Sequence, residues 1–128
     1  MIRFSVDGRP IQQGSMRYIG NGRMIHNKST ELLAWRGLIA LKAQQAGCVP
    51  INGAISIKLE FRVARPKSVK RALPIVAPDL DKYIRGCLDA LTGVAYIDDS
   101  QVVCITASKR YADEPGVDIE VTDGFDLL

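Results

Sequence analysis

The sequence contains few of the residues that mark secreted or membrane-bound proteins. Its 128 residues include three cysteines, one histidine and 6% aromatic residues. Cys48, Cys87 and Cys104 are odd in number and far apart, which argues against a disulfide framework and against a zinc site. No apolar run approaches the roughly 18 residues that cross a bilayer, and the first residues lack a signal-peptide core. We therefore expect a cytoplasmic protein without membrane contact.

Length and composition indicate one domain over residues 1–128. The fractions of hydrophobic residues (47%) and charged residues (24%) are ordinary for a soluble globular protein. A chain of this length buries a real but modest core. It shows no internal repeat, linker or low-complexity segment.

The net charge of +3 is unevenly distributed along the chain. Residues 61–74 carry five basic side chains and no acidic one, whereas residues 78–100 carry five aspartates against two basic residues. A run of charge by itself is usually a solvated surface. A basic segment beside an acidic cluster also suits a metal-dependent nuclease, since basic groups bind phosphates and acidic groups bind the cation.

Hydrophobic periodicity predicts two main helices and a mixed sheet. Ile55–Val63 alternates apolar and polar residues without a break, which indicates a half-buried strand. The first half is predicted to contain a strand from Ile2 to Asp7, a hairpin tip or mobile loop at 18–24, and a helix from Ser29 or Thr30 to about Gly47. This helix has Leu32, Trp35, Leu38 and Ile39 on its apolar side. The second half is predicted to contain the strand 55–63, a basic loop at 64–77, a helix from about Leu80 to Leu91, and strands at 102–111 and 117–121 joined as a hairpin. This order predicts a single α+β domain.

Two pairs of aspartates carry the most specific chemistry. If residues 79–81 are extended, the carboxylates of Asp79 and Asp81 point to one side and converge on one ion. Hard oxygen ligands suit Mg²⁺ or Mn²⁺ rather than zinc. Asp98 and Asp99 follow the second helix, and a tight return of the chain would bring Asp99 beside the start of that helix.

Each feature also has a simpler interpretation. Asp79 or Asp81 can cap the helix, and Asp98–Asp99 can be an ordinary turn. An EF-hand is excluded by the missing glycine and glutamate, and a glycosyltransferase Asp-x-Asp site is disfavoured by the short chain. The lone His26 is a poor catalytic candidate, and Ser29 has no histidine-based triad to activate it. The combination of both acidic pairs with a basic loop favours a site.

Residues 78–91, Pro-Asp-Leu-Asp-Lys-Tyr-Ile-Arg-Gly-Cys-Leu-Asp-Ala-Leu, followed by Asp98-Asp99-Ser100-Gln101-Val102-Val103, resemble the RusA family of phage and prophage Holliday-junction resolvases. The family pattern is Asp-Leu-Asp, a helix ending in Asp-Ala-Leu, and Asp-Asp-x-Gln-Val. The strong resemblance covers about residues 78–121, where Gly116–Val121 resembles the family's terminal strand. The first half agrees only in length and layout.

The resemblance implies a site and a cofactor. Asp79, Asp81 and Asp99 would bind Mg²⁺, for which Mn²⁺ can substitute, with Asp98 and Asp89 near the site. Arg85 stands where the family commonly has an essential lysine, so an electrostatic role is preserved and a proton-transfer role is in doubt. Basic side chains would bind the DNA backbone without reading bases: Arg65, Lys67, Lys70, Arg71, Arg17 and Arg23.

The implied function is a Mg²⁺-dependent endodeoxyribonuclease that resolves Holliday junctions in recombination and repair. Two symmetric cuts need two active sites, which implies a homodimer acting on branched DNA in a bacterial host. One alternative is a non-catalytic DNA-binding phage accessory module with the same fold. A small nucleotide-handling metalloenzyme is a third, weaker interpretation. An assay on a four-way junction with Mg²⁺ or EDTA would discriminate them.

Overall fold

A computed structural model describes residues 1–13, 16–20, 23–26 and 29–125, with side chains described for residues 1–13 and 30–125. The elements, in chain order, are β1 (Ile2–Asp7), β2 (Met16–Gly20), β3 (Arg23–His26), α1 (Ser29–Gln45), β4 (Ile55–Val63), α2 (Leu80–Leu91), the short 3₁₀ helix η1 (Asp99–Gln101), β5 (Val102–Tyr111) and β6 (Gly116–Asp123). The predicted α+β domain with a mixed sheet and two main helices is confirmed.

The main sheet has the strand order β1-β6-β4-β5. Strand β6 is antiparallel to both β1 and β4, whereas β5 is parallel to β4. Strands β2 and β3 form a separate antiparallel pair, which confirms a hairpin in this region. The connection from β4 through α2 to β5 is a crossover between parallel strands, so α2 runs antiparallel to β5.

The core lies between one face of this sheet and the two helices. Alternate residues of β4 are buried because a strand with period two presents one side to the helices. Helix α1 contributes Leu32, Trp35 and Ile39, as its periodicity predicts. The opposite face of the sheet carries charged and polar pairs, such as Arg3 with Glu120 (2.6 Å) and Ser5 with Asp118 (2.8 Å).

The predicted hairpin between the last two strands is wrong. Strands β5 and β6 do not pair with each other, because β6 pairs with β4 on the side opposite β5. The short connection therefore crosses the end of β4, where the Ala112 amide donates to the Val63 carbonyl at 3.0 Å. A turn sequence with Pro115 and Gly116 does not distinguish a hairpin from such a crossing.

The buried side of α2 is turned relative to the predicted apolar face. Cys87 and Leu91 are buried as expected, but Leu80, Ile84 and Leu88 are only partly buried. The other buried members of this helix are Tyr83, Gly86 and Ala90. Tyr83 stacks on Phe61 of β4 with ring centroids 5.1 Å apart, and this contact orients the helix on the sheet. No helix in the described part of the chain is long and apolar enough to span a membrane.

Candidate active site

Asp79 is the N-cap residue of α2, but its side chain makes no capping hydrogen bond. Its backbone is extended (φ −68°, ψ 144°), and the helix begins at the next residue, Leu80. The carboxylate of Asp79 is exposed and forms no ion pair within the described residues. The simpler interpretation, in which this carboxylate caps the helix, therefore does not account for it.

Asp81 lies in the first turn of α2, and its carboxylate is exposed. The extended geometry in which both carboxylates would point to one side does not occur, because α2 begins at Leu80, as its periodicity predicts, and Asp81 is already helical. The two aspartates still lie together at the N-terminal end of α2. Their negative charges are favourable there, since the helix dipole places partial positive charge at that end.

Arg85 and Asp89 follow Asp81 at intervals of four residues and lie along one stripe of α2. Arg85 is exposed, and within the described part of the chain it makes no ion pair with either aspartate. A guanidinium that no carboxylate neutralises can bind a phosphate in two-point geometry. Arg85 is thus available to an anionic ligand one helical turn from Asp81.

Asp98 is a structural cap, as the turn interpretation predicts. Its carboxylate accepts hydrogen bonds from the backbone amide of Ser100 (3.0 Å) and from the Ser100 hydroxyl. These bonds lower the pKa of Asp98 below its ordinary value of 3.8. Asp98 thereby holds the 3₁₀ turn that carries Asp99, whose own exposed carboxylate makes no hydrogen bond or ion pair with any described residue.

Gln101 anchors the same turn to the rest of the fold. Its side-chain nitrogen donates to the carbonyls of Ile51 (2.8 Å) and Gly53 (2.9 Å), and its oxygen accepts from the amides of Ile97 and Asp98. All of these partners are backbone groups, so they fix the turn independently of side-chain rotamers. The glutamine of the Asp-Asp-x-Gln-Val motif therefore positions Asp99.

Asp99 lies near the C-terminal end of α2, away from Asp79 and Asp81. The hydroxyl of Tyr96 donates to the Leu88 carbonyl at 2.6 Å, and burial together with the nearby charges of Asp99 and Asp89 raises the pKa of Tyr96. Helix α2 has 12 residues, which corresponds to about 18 Å along its axis. The expected tight return that places Asp99 beside the helix start does not occur within one chain.

The described residues contain no group of three or more His, Cys, Asp or Glu side chains placed to hold a metal ion. The acidic groups instead form two pairs at opposite ends of α2, with Asp89 partly buried and the other three exposed. Asp79 and Asp81 lie at its start, and Asp89 and Asp99 lie toward its end. Carboxylate oxygens are the ligands that a hard divalent cation prefers, and neither pair alone contains the three acidic residues of the predicted site.

Lys109 of β5 lies beside the aspartates at the helix start, and sequence reasoning missed it. Its ammonium group donates to the carbonyls of Val76 (2.8 Å) and Pro78 (2.9 Å), the second of which belongs to the residue before Asp79. No local pattern marks this lysine, because it is one of several polar residues in an alternating strand. Its proximity to Asp79 arises from the crossover that packs α2 against β5.

The basic loop at 64–77 leads directly into the site. Arg65 lies over the ring of Tyr111, with its guanidinium carbon 4.8 Å from the ring centroid. Lys67 and Lys70 are exposed, and Arg71 has a buried guanidinium nitrogen that no group in the described part of the chain hydrogen-bonds. Arg17 and Arg23 fall on β2 and β3, where side chains lie outside the described residues.

One basic residue of this region has a structural role instead. Arg62 is mostly buried, with a side chain 12% exposed, and forms ion pairs with Asp7 (3.2 Å) and Asp118 (3.4 Å). It also donates to the Glu114 carbonyl at 2.7 Å. Arg62 therefore joins the end of β4 to its neighbours rather than contributing to an open basic surface.

Residues 7–122, which include all the proposed site residues but exclude most of β1, match the family model described as Endodeoxyribonuclease RusA. The chain belongs to the RusA endodeoxyribonuclease family. It is also similar to the Uncharacterized protein YqaN of Bacillus subtilis (strain 168), with 32% identity over 136 aligned positions. That alignment covers 95% of this chain and 96% of the relative.

Family membership makes this RusA-family protein an endodeoxyribonuclease, a hydrolase that acts on DNA phosphodiester bonds. The family activity is cleavage of Holliday junctions, and branched DNA is the corresponding binding partner. The match begins before β2 and ends within β6, so it extends over the first half of the chain, where the sequence motifs were weak.

Proposed function

We propose that this RusA-family protein is a Mg²⁺-dependent resolvase that cuts four-way DNA junctions by paired, symmetric strand cleavage. The observation that carries the proposal is the N-cap carboxylate of Asp79, which makes no capping bond and stands two residues before the exposed Asp81. Two uncommitted carboxylates at the same end of a helix repel each other, and a cation bound there would relieve that repulsion. Their oxygens are the ligands that Mg²⁺ or Mn²⁺ prefers.

The third proposed ligand, Asp99, has to come from a second copy of the chain. Within one copy it lies toward the far end of α2, beside Tyr96. In a twofold dimer that places two α2 helices antiparallel, the end of one helix meets the start of the other. Each site would then combine Asp79 and Asp81 of one subunit with Asp99 of its partner, which makes dimer formation a condition for metal binding.

The chain's own groups bind and orient the scissile strand. When bound, a divalent cation supplies an activated water and neutralises charge on the phosphate. Arg85 would bind the scissile phosphate, one helical turn from Asp81. Asp98 and Asp89 support the arrangement, Asp98 by holding the turn of Asp99. Arg65, Lys67, Lys70 and Arg71 would contact neighbouring phosphates, together with Arg17 and Arg23.

The biological setting forms part of the proposal. Junction resolution belongs to DNA recombination and repair, and the resemblance to phage and prophage resolvases suggests such a gene in a bacterial cytoplasm. A homodimer provides the two symmetric sites that a four-way junction requires.

A junction-cleavage assay tests this function. The protein is incubated with a synthetic four-way junction or with linear duplex of the same sequence, in Mg²⁺ or in EDTA. We expect paired nicks in the junction with Mg²⁺ and intact DNA in the other three reactions. Asp81→Asn should lower the rate by about 100-fold or more while junction binding persists, because a bound metal supplies several kcal/mol of transition-state stabilisation.

The matched control is Asp113→Asn, which removes an exposed carboxylate without a partner among the described residues. It should cut at the wild-type rate. Junction binding without cleavage by the wild-type protein, in Mg²⁺ and in Mn²⁺, would refute the proposal and favour a DNA-binding module instead.

A further inference from the structure

A cavity of about 410 Å³ opens beside the start of α2. The basic loop forms one wall through Ala64, Arg71 and Val76, and the segment before β2 forms another through Arg9 and Ile11. Pro78, the residue before Asp79, also lines it. The cavity therefore adjoins the proposed metal site, within the usual size range of small-ligand pockets, about 300–1,000 Å³.

The walls combine apolar surface with positive charge. Tyr83, Tyr111 and several prolines and aliphatic residues form the apolar part, whereas Arg9, Arg71 and Lys109 supply three cations. Among the described residues, no aspartate or glutamate lines the cavity. Such walls match a ligand with a flat apolar portion and a negatively charged group.

Two polar groups at the walls point to an anionic occupant. The guanidinium of Arg71 has a buried nitrogen with no hydrogen-bond partner among the described residues, although buried donors are generally satisfied. The positive charge of Arg9 acts on the nearby Tyr83 hydroxyl and partly offsets the rise that burial causes in its pKa. Both cations line the cavity, so their positive charge would attract a phosphate bound there.

We propose that this cavity receives one unstacked nucleotide of the branched DNA, next to the phosphate that is cut. The inference rests on the proposed function, since it takes Asp79 and Asp81 to mark the scissile phosphate. The base would pack against Tyr83, Val76 and Ile11, and a flanking phosphate would bind Arg71. Nucleotides leave the stack most easily where pairing is already disturbed, as at the branch point of a junction.

Fluorescence of 2-aminopurine tests the proposal, because this base analogue brightens when it is unstacked. The analogue is placed in turn at each position around the branch point of a four-way junction, and the full-length protein is added in EDTA so that no strand is cut. We expect a several-fold rise at one position in each of two symmetric strands. Linear duplex carrying the analogue should show no such rise.

Variants that fill the cavity provide the matched comparison. Ala64→Leu and Val76→Phe should each remove the fluorescence rise and lower junction affinity about tenfold, since stacking of one base on protein contributes on this scale. Ala72→Leu places the same leucine in the same loop, at an exposed residue that does not line the cavity. It should leave both readouts at their wild-type values, and thermal unfolding of each variant verifies its fold.

The outcomes separate this inference from the proposed function. Junction cleavage without any rise in fluorescence, or with a rise that Ala64→Leu and Val76→Phe preserve, would overturn the nucleotide pocket and leave the nuclease intact. A rise that both cavity variants abolish, in a protein that never cuts junctions, would support the pocket and overturn the nuclease.

Discussion

The ammonium group of Lys109 donates a hydrogen bond to the carbonyl of Pro78 at 2.9 Å, which ties strand β5 to the residue preceding Asp79. A second bond to the Val76 carbonyl, at 2.8 Å, fixes the end of the basic loop. One side chain from the edge of the sheet thus holds the segment that presents the proposed metal ligands. Its two acceptors are backbone groups, so neither bond depends on the rotamer of a partner side chain.

Lys109→Met should loosen this segment. Two hydrogen bonds from a charged donor are lost, and a net cost of about 2–3 kcal/mol in unfolding free energy is expected. Proteolysis within residues 64–78 should accelerate, and junction cleavage should fall. Lys58→Met removes an exposed lysine from the neighbouring strand and should change stability by no more than about 0.5 kcal/mol. Equal behaviour of the two variants would contradict the anchoring role of Lys109.

Mixing two inactive variants tests whether each metal site is shared between subunits. In a heterodimer of Asp81→Asn with Asp99→Asn, one site would receive both substitutions and the other would be wild-type. After exchange of subunits, junction nicking should return to about a quarter of the wild-type rate, because about half of the dimers are mixed and each has one complete site.

The control mixture combines Asp79→Asn with Asp81→Asn. These residues belong to the same half of each proposed site, so no mixed dimer has a complete set and no activity should return. Sites contained within one chain would leave both mixtures inactive. Sedimentation of the wild-type protein as a monomer that retains full resolving activity would be equally incompatible with a shared site.

Arg85 is expected to bind phosphate rather than transfer a proton. Arg85→Lys keeps the positive charge, and should retain most of the cleavage rate at low salt. Arg85→Met removes the charge but keeps an unbranched chain, and we expect a loss of about 10- to 100-fold in kcat/KM, which corresponds to 1.4–2.8 kcal/mol. The pH–rate profiles of Arg85→Lys and wild type should coincide. A new ionisation in the lysine variant would instead indicate that position 85 exchanges a proton.

Gly116 begins β6 where no side chain fits. A Cβ atom there would lie 2.4 Å from the Val6 carbonyl oxygen and 2.5 Å from a guanidinium nitrogen of Arg62. Gly116→Ala should destabilise the fold by about 1–3 kcal/mol, the usual cost of overpacking. Gly37→Ala is the contrasting control, since its Cβ has open space within helix α1 and alanine should stabilise by about 0.5–1 kcal/mol. Denaturant unfolding measures both.

The Asp98 cap predicts a specific loss of stability in acid. Hydrogen bonds from Ser100 lower the pKa of Asp98 in the folded protein below its ordinary value of 3.8. The charged carboxylate therefore stabilises the fold above pH 3.8, and this contribution disappears as pH falls through the lowered value. Asp98→Asn cannot titrate, so its unfolding free energy should fall less steeply than that of wild type between pH 5 and pH 2.

Asp113→Asn is the control for this comparison, because the Asp113 carboxylate has no partner in the described residues. Its stability should follow the wild-type pH dependence. A wild-type acid limb that Asp98→Asn leaves unchanged would show that the cap does not contribute to acid stability.

Local patterns predicted the main elements well. The alternation of Ile55–Val63 predicted β4 with its observed bounds, and the apolar spacing of 80–91 predicted α2 with the observed ends. These predictions succeed because a period of two or 3.6 residues reflects which side of one element is buried. The prediction of which side of α2 is buried was less accurate. That side is set by the stacking of Tyr83 on Phe61, which belongs to strand β4 and lies far from α2 in sequence.

The proposed site was predictable in composition but not in arrangement. The motif residues Asp79, Asp81 and Asp99 stand in the sequence, and the structure leaves their carboxylates uncommitted. The expected approach of Asp99 to the start of α2 was wrong within one chain. Whether two elements meet depends on the direction in which the chain crosses the sheet, and the sequence of a short segment does not predict that direction.

The sequence by itself determined the helices, most strand bounds and the acidic and basic segments, because each depends on residues close together in the chain. Tertiary structure alone decided that β6 lies between β1 and β4, that Lys109 binds the Pro78 carbonyl, and that the two acidic pairs lie at opposite ends of α2. These relationships join residues far apart in sequence. They arise when the apolar face of the sheet is buried beneath the two helices, and that packing depends on residues from every element of the chain.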